Sequence, residues 1–438
     1  MSKYFTSAAR NLYLKWLSIV IELSLSLCLA LIVSLYSQAW NYCDNLTTIA
    51  LVCAVASNLI VLPKAKPRWP YLMFVLGIFG FYGFNLLSVK LADPALNLGV
   101  YQSKWMHLSG LMLALAAGLG LRTRGSRARL LAVLLAATGL WYLGELATIP
   151  WRPEVWLDNR FVGSREIHTI LGMELLPLFA LFFACAVFLK NRKLSFASLL
   201  GAVLFGILLF LNKSRFALLT MVYVTIPTTV SLQNRFGNFR QRLAAALVWF
   251  LLIGPAVSMV WYHYAGPGRR QTTSIEYRVI AWNYVLRITE QSPWYRIIIG
   301  HGRFPRTFDT LAEYYDTGFS KLDKAPLYRG RFGHCHNVLL QTFLETGILG
   351  VAGLACIYIS AFYRAAAAWS RQKRPEIVSG VTVVALVTIA VMTQMDYNLG
   401  GFYRVGGLFC WFITGLAFAS GAQEDIPGHA AKELNLPE

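Results

Sequence analysis

The sequence predicts an all-α polytopic membrane protein, and three observations carry that prediction. Of its 438 residues, 56% are hydrophobic and only 14% charged, against roughly 25% charged in soluble domains. Apolar runs of about 17–25 residues recur along the chain, each able to cross about 30 Å of hydrocarbon. Lys and Arg gather in alternate connections between these runs, the pattern expected where those connections stay in the cytoplasm.

The first run, 16–36, follows a basic stretch with Lys3, Arg10 and Lys15. It has no convincing small-residue cleavage site and reads as a retained helix. Runs 46–63 and 70–89 flank Lys64, Lys66 and Arg68, and runs 105–121 and 129–149 flank Arg122, Arg124, Arg127 and Arg129. Runs 168–189 and 194–212 enclose Lys190, Arg192 and Lys193, while 216–232 and 243–263 enclose Arg235, Arg240 and Arg242. Beyond a long polar stretch, 338–362 and 376–394 flank Arg364, Arg371, Lys373 and Arg374, and 403–420 leads into a polar tail. About twelve spans result, an even number, so both termini are expected in the cytoplasm. The chain then divides into nine spans within 1–263, a large outer loop at 264–336, three spans within 337–422, and a short cytoplasmic tail at 423–438.

The loop breaks the charge rule. It holds eleven basic residues, from Arg269 to Arg331. Long loops translocate regardless of charge, so the topology stands, but the accumulation needs a reason. Either the loop faces anionic lipid headgroups or it binds an anionic substrate. Within it, Ser274–Thr289 has helical periodicity, with Ile275, Val279, Trp282 and Leu286 on one face and Glu276, Asn283 and Arg287 elsewhere. Ser274 suits an N-cap, and Pro293 marks the far limit. Gly300-His301-Gly302 follows, where two glycines permit a tight turn or a close backbone approach.

Two further places carry chemistry. Asn212-Lys213-Ser214-Arg215 is the only polar break between two spans. Its Lys213 and Arg215 either snorkel to headgroup phosphates or present a charged fork of donors to a phosphate ligand. His334-Cys335-His336-Asn337 joins the loop to the next span. An imidazole there suits a general base, although a structural histidine followed by Asn337 as N-cap fits equally well. No carboxylates surround the pair in sequence and the neighbouring charge is positive, so no metal is expected. Glu345 is an acid within the span, functional or paired with an arginine. Gly347 and Gly350 suit close helix contact. Glu22, Glu145 and Glu174 are further acids in apolar spans, with no partner legible in the sequence. Of the seven cysteines, five fall within spans, where they act as small hydrophobes. Cys43 and Cys335 reach the outer side, and sequence alone cannot pair them. There are no repeats, and neither a Walker-type loop nor a dinucleotide fingerprint, so no cofactor and no nucleic-acid partner is expected.

These residues resemble the O-antigen ligase family, related to O-antigen polymerases and protein O-oligosaccharyltransferases. Ser214-Arg215 is similar to the family's Ser-Arg at the outer end of a central span. Arg278, Trp282, Pro293 and Gly300-His301-Gly302 resemble the progression in its large periplasmic loop. His336-Asn337 with Glu345, Gly347 and Gly350 resembles the pattern that closes that loop. The resemblance implies a C-type glycosyltransferase (GT-C) fold in the bacterial inner membrane with a periplasmic active site. It implies an undecaprenyl-pyrophosphate-linked glycan as donor and a sugar hydroxyl of lipid A–core as acceptor, with complete lipopolysaccharide as product. His336 is then the expected base. Arg215, Arg278 and Lys213 are expected on the pyrophosphate, with Asn337, His301 and Glu345 in support. An O-antigen polymerase uses the same donor and a lipid-linked acceptor. A protein O-oligosaccharyltransferase resembles longer chains. A transporter of lipid-linked sugars would usually place its ionisable residues near the bilayer midplane and show repeats, whereas this chain has no repeat and gathers its notable charges at one interface.

Overall fold

The computed structural model describes residues 7–35, 40–61, 69–92, 94, 109–148, 168–212, 214–233, 273–302, 335–371, 376–394 and 405–420. Every regular element among them is helical. In chain order they are α1 (Ser7–Leu35), α2 (Trp40–Val61), α3 (Trp69–Ala92), α4 (Ser109–Gly120) and α5 (Arg124–Thr148). There follow α6 (His168–Phe188), α7 (Arg192–Asn212), α8 (215–233), α9 (Thr273–Gln291) and α10 (Trp294–Ile299). The last three are α11 (Val338–Arg371), α12 (Ile377–Met392) and α13 (Val405–Ala419). Seven of them, α1, α2, α3, α5, α7, α8 and α11, are long and apolar enough to cross a membrane. Shorter apolar helices occupy the expected spans at α4, α6, α12 and α13. The expected span 243–263 lies outside the described residues, as does the tail at 423–438.

The short helices form the centre. Residues 174–185 of α6 are buried without a break, and so are most of α12 and α13. A helix apolar on all sides needs protein or lipid all round it. The long helices surround this centre and turn leucines outward, among them Leu23 and Leu27 on α1, Leu72 and Leu76 on α3, and Leu140 and Leu143 on α5. α3 crosses α11 through a reciprocal glycine contact: a Cβ on Gly77 would lie 2.9 Å from the Gly353 carbonyl oxygen. Close backbone approach through small residues was expected at Gly347 and Gly350. Between α3 and α11 Gly353 provides it; Gly347, at a break in α11, lets the Ile298 backbone of α10 approach, and Gly350 faces the Thr346 side chain.

α8 contains a widened π-turn at Met221–Thr225. Pro227 follows two residues later and cannot donate to the Tyr223 carbonyl, so the turn widens where the ladder is already one bond short. The Thr225 hydroxyl lies 2.9 Å from that of Thr388 on α12.

Polar contacts sort the helix ends. At one end Arg10 donates to the Ile60 carbonyl (2.8 Å), Arg122 to Asn58 (2.8 Å), and Arg364 to the Phe418 carbonyl (2.9 Å). Arg127, fully buried there, pairs with Glu376 at 2.6 Å and also donates to the Leu121 carbonyl. Residues from three of the basic clusters that mark one side in the sequence thus meet at one end of the bundle. Phe188 rests against Trp369 near this end, so α6 begins at the other. The intramembrane acids have partners that sequence could not name. Arg129 and Ser126 bond Glu22, Trp141 donates to Glu145, and the Tyr142 hydroxyl donates to Glu174 at 3.1 Å. Cys43 and Cys335 are both free, buried thiols.

Candidate functional site

The end opposite the arginine cluster is organised by an interruption in α11. Gly347 has φ 65° and ψ −167°, backbone that is essentially confined to glycine. An interrupted helix leaves carbonyl groups to be satisfied from outside. The segment Gly300-His301-Gly302 supplies the donors: His301 N–H reaches the Leu344 carbonyl at 2.8 Å and Gly302 N–H the Glu345 carbonyl at 2.9 Å. The approach is backbone on backbone. A Cβ on Gly300 would overlap the Glu345 carbonyl group, and one on Gly347 would overlap that of Ile298. Gly300 and Gly302 both have positive φ, 79° and 80°. Arg296 ties the same turn to the end of α3, donating to the Gly300 carbonyl (3.3 Å) and the Leu91 carbonyl (3.1 Å).

α9 lies against the start of α11. Its buried face is Ala281, Tyr284, Val285 and Ile288, clustered with Cys335 and Leu344. The stripe expected from periodicity differs. Val279 and Leu286 are exposed and Trp282 is half-buried, while the Ile275 side chain lies outside the described residues. Two overlapping stripes with helical spacing run along this helix, and the partner surface selects the one carrying small Ala281. Ser274 is inside the helix, not its cap, since the helix begins at Thr273. Pro293 does end it.

The His334-Cys335-His336-Asn337 junction is held on both sides. Asn337 is the N-cap of α11: its side-chain oxygen accepts from Leu340 N–H at 3.0 Å, and its amide donates to the Gln394 carbonyl at 2.9 Å. Val338 N–H donates to the Thr393 carbonyl, fixing α11 to the end of α12. On the other side, Trp282 Nε1 donates to the Cys335 carbonyl at 3.0 Å, and Cys335 N–H donates to Gln341 Oε1 at 2.8 Å. Gln341 Nε2 in turn donates to Glu345 at 2.8 Å. Between these anchors stands His336, half-buried, with φ 54°, the only non-glycine residue of positive φ among those described. Burial pushes the Cys335 thiol up to about 12, away from the thiolate that a reactive or metal-binding cysteine needs. His334 lies outside the described residues.

The other expected site residues divide into two groups. His301 is 5% exposed, with Nε2 2.9 Å from Ser292 Oγ. That hydroxyl donates to the Ile288 carbonyl, so Nε2 is the donor to Ser292. His301, Asn337 and buried Glu345 thus belong to the frame beneath His336. Arg278 is half-buried on α9, one helical turn before Trp282, and so shares the face of the helix that grips the Cys335 carbonyl. Arg215 opens α8. A Cβ on Gly172, near the start of α6, would lie 2.7 Å from Ser214 Cβ, which places the start of α8 at the same end of the bundle. The Arg215 side chain and all of Lys213 lie outside the described residues. Sequence reading passed over Gln341, and took Arg296 only as one of the loop's eleven basic residues. The spacing of Gln341 from Glu345, i to i+4 on one helix face, was the available signal.

The sequence profile of the O-antigen ligases matches residues 178–355. These residues form an O-antigen ligase family region. It runs from within α6 to the middle of α11 and contains every expected site residue, from Lys213 to Glu345. The docked Gly-His-Gly turn, the broken helix and the His336 junction all fall inside the ligase-family region. No curated protein matches the chain.

Proposed function

We propose that this protein is an O-antigen ligase, an inverting, metal-independent glycosyltransferase acting at the periplasmic face of the bacterial inner membrane. The observation that carries this reading is His336 at the mouth of α11, bracketed by fixed neighbours within the ligase-family region. Arg278 stands one turn from the tryptophan that holds it, and Arg215 opens a helix at the same end of the bundle. His336 accepts the proton of a lipid A–core sugar hydroxyl as that oxygen attacks the anomeric carbon of the glycan. The bond from that carbon to the pyrophosphate oxygen breaks, and undecaprenyl pyrophosphate leaves. Arg215 and Arg278, with Lys213, bind the diphosphate and stabilise the charge that develops on it. Meeting of the basic clusters at the far end supports a cytoplasmic placement of that end and of both termini. About twelve spans in a GT-C arrangement fit the same reading.

The test is transfer by purified protein in the presence of chelator, with lipid-linked glycan as donor and several acceptors. Lipid A–core as sole productive acceptor is the expected result. Transfer to lipid-linked glycan alone would make the protein a polymerase, and loss of activity with chelator would overturn metal independence. In the same assay Arg215→Lys should lose most of its activity, because a point charge cannot replace a planar bidentate fork. Full activity would return Arg215 to a headgroup-anchoring role.

A further inference from the structure

A general base works only if its ring is aimed, and His336 is aimed by an uncommon backbone. Left-handed φ is unfavourable at a non-glycine residue and persists where the surroundings over-determine it. The surroundings here are identifiable. Asn337 is fixed on the C-terminal side by capping α11 and by its bond to the Gln394 carbonyl. On the N-terminal side, Cys335 is gripped at both of its peptide groups: Trp282 holds its carbonyl and Gln341 holds its N–H. Those two bonds set the planes on either side of Cys335, and therefore the direction in which the chain enters His336.

Gln341 is suited to this by a second contact. Its amide has one donor side and one acceptor side, and each meets a group that accepts no exchange. Cys335 N–H requires the oxygen, while the Glu345 carboxylate requires the NH₂. Gln341 and Glu345 are both buried, 3% and 5% exposed, so water does not compete for these bonds. Glu345 is itself anchored through its carbonyl, which accepts Gly302 N–H at the break in α11. A continuous path therefore runs from the docked Gly-His-Gly turn through Glu345 and Gln341 to the backbone of His336.

We propose that Gln341 is a positioning residue for His336, with its amide orientation set by Glu345. This rests on His336 acting as the base. A residue that only stabilises the fold would change the melting temperature and the yield of folded enzyme. A positioning residue changes turnover per folded molecule and leaves donor affinity alone.

The experiment uses the full-length protein in detergent, with kcat, KM for the lipid-linked donor, and thermal melting measured for each variant. Gln341→Glu sets two carboxylates against each other and should lower kcat by up to about 10²-fold, the scale of an ångström-level misplacement, with KM for the donor little changed. The exchange Gln341→Glu/Glu345→Gln rebuilds both hydrogen bonds in reversed order, the carboxylate now accepting from Cys335 N–H and the amide donating to it. It should restore kcat. Gln341→Leu should lower kcat in the wild-type background and have no further effect on the residual rate of His336→Ala. Failure of the exchange to restore turnover, or an equal loss from Gln341→Leu with and without His336, overturns the proposal. Undiminished turnover in His336→Ala would instead overturn the function assigned to His336, so the two failures are distinct.

Discussion

Replacing His336 by alanine is expected to lower glycan transfer by about 10²–10⁴-fold, the usual contribution of a positioned general base, in a protein that still folds. Folding should survive because the ring is half-buried at the end of the bundle and outside both hydrophobic clusters. The contacts that define the junction also come from other residues: Trp282, Gln341 and Asn337 bond backbone groups on either side of it. One complication is the left-handed backbone at φ 54°, which alanine tolerates no better than histidine. Asparagine adopts this conformation more readily, so His336→Asn removes the base while easing the backbone. Both variants should melt near the wild-type temperature and both should be inactive in the purified transfer assay. Near-normal rates in either would show that another group takes the proton.

The second large effect is structural. Gly347→Ala is expected to undo the docking of the Gly-His-Gly turn and with it the His336 junction. The φ and ψ at Gly347 cost a side-chain-bearing residue about 1–3 kcal/mol in backbone strain alone. Its Cβ would also overlap the Ile298 carbonyl, which is backbone and cannot turn aside. The turn and α11 would have to separate, leaving the Leu344 and Glu345 carbonyls without the N–H groups of His301 and Gly302. Limited proteolysis between α9 and α11, with thermal melting, reads this directly: cleavage should accelerate and the melting temperature fall. Gly83→Ala on α3 is the control, since nothing lies within 4 Å of its Cβ and it should be silent. Wild-type proteolysis of Gly347→Ala would mean that α11 can close without the break.

Much of this arrangement was legible in the sequence, though unevenly. Eleven of the expected apolar runs coincide with helices, and arginines from alternate connections meet at one end. Asn337 was readable as a cap because capping is local chemistry within three residues. Gly300-His301-Gly302 was readable only as a place where backbone approaches something. That the something is a broken helix could not be read, since Gly347 looked like one more small residue on an apolar face. α9 shows the same limit. Its periodicity allowed two apolar stripes, and contact with Cys335 and Leu344 chose the one that the bulkier side chains did not suggest. Glu345 drew notice as an acid in a span, yet its role depends on Gln341, which as an uncharged residue near a helix start attracted none.

By itself, then, the sequence determined a helical chain with membrane-length apolar spans, their order, the grouping of basic residues between them, and the family resemblance. Hydropathy, charge and short motifs are local quantities, and a bilayer or a helix end reads them almost residue by residue. Only the tertiary structure decided which face of α9 is buried, where α11 breaks, and how His336 is held. Those outcomes depend on bonds such as that from Trp282 to Cys335, 53 residues apart. No local pattern specifies a partner at that distance, because it exists only once the helices between and around it have packed.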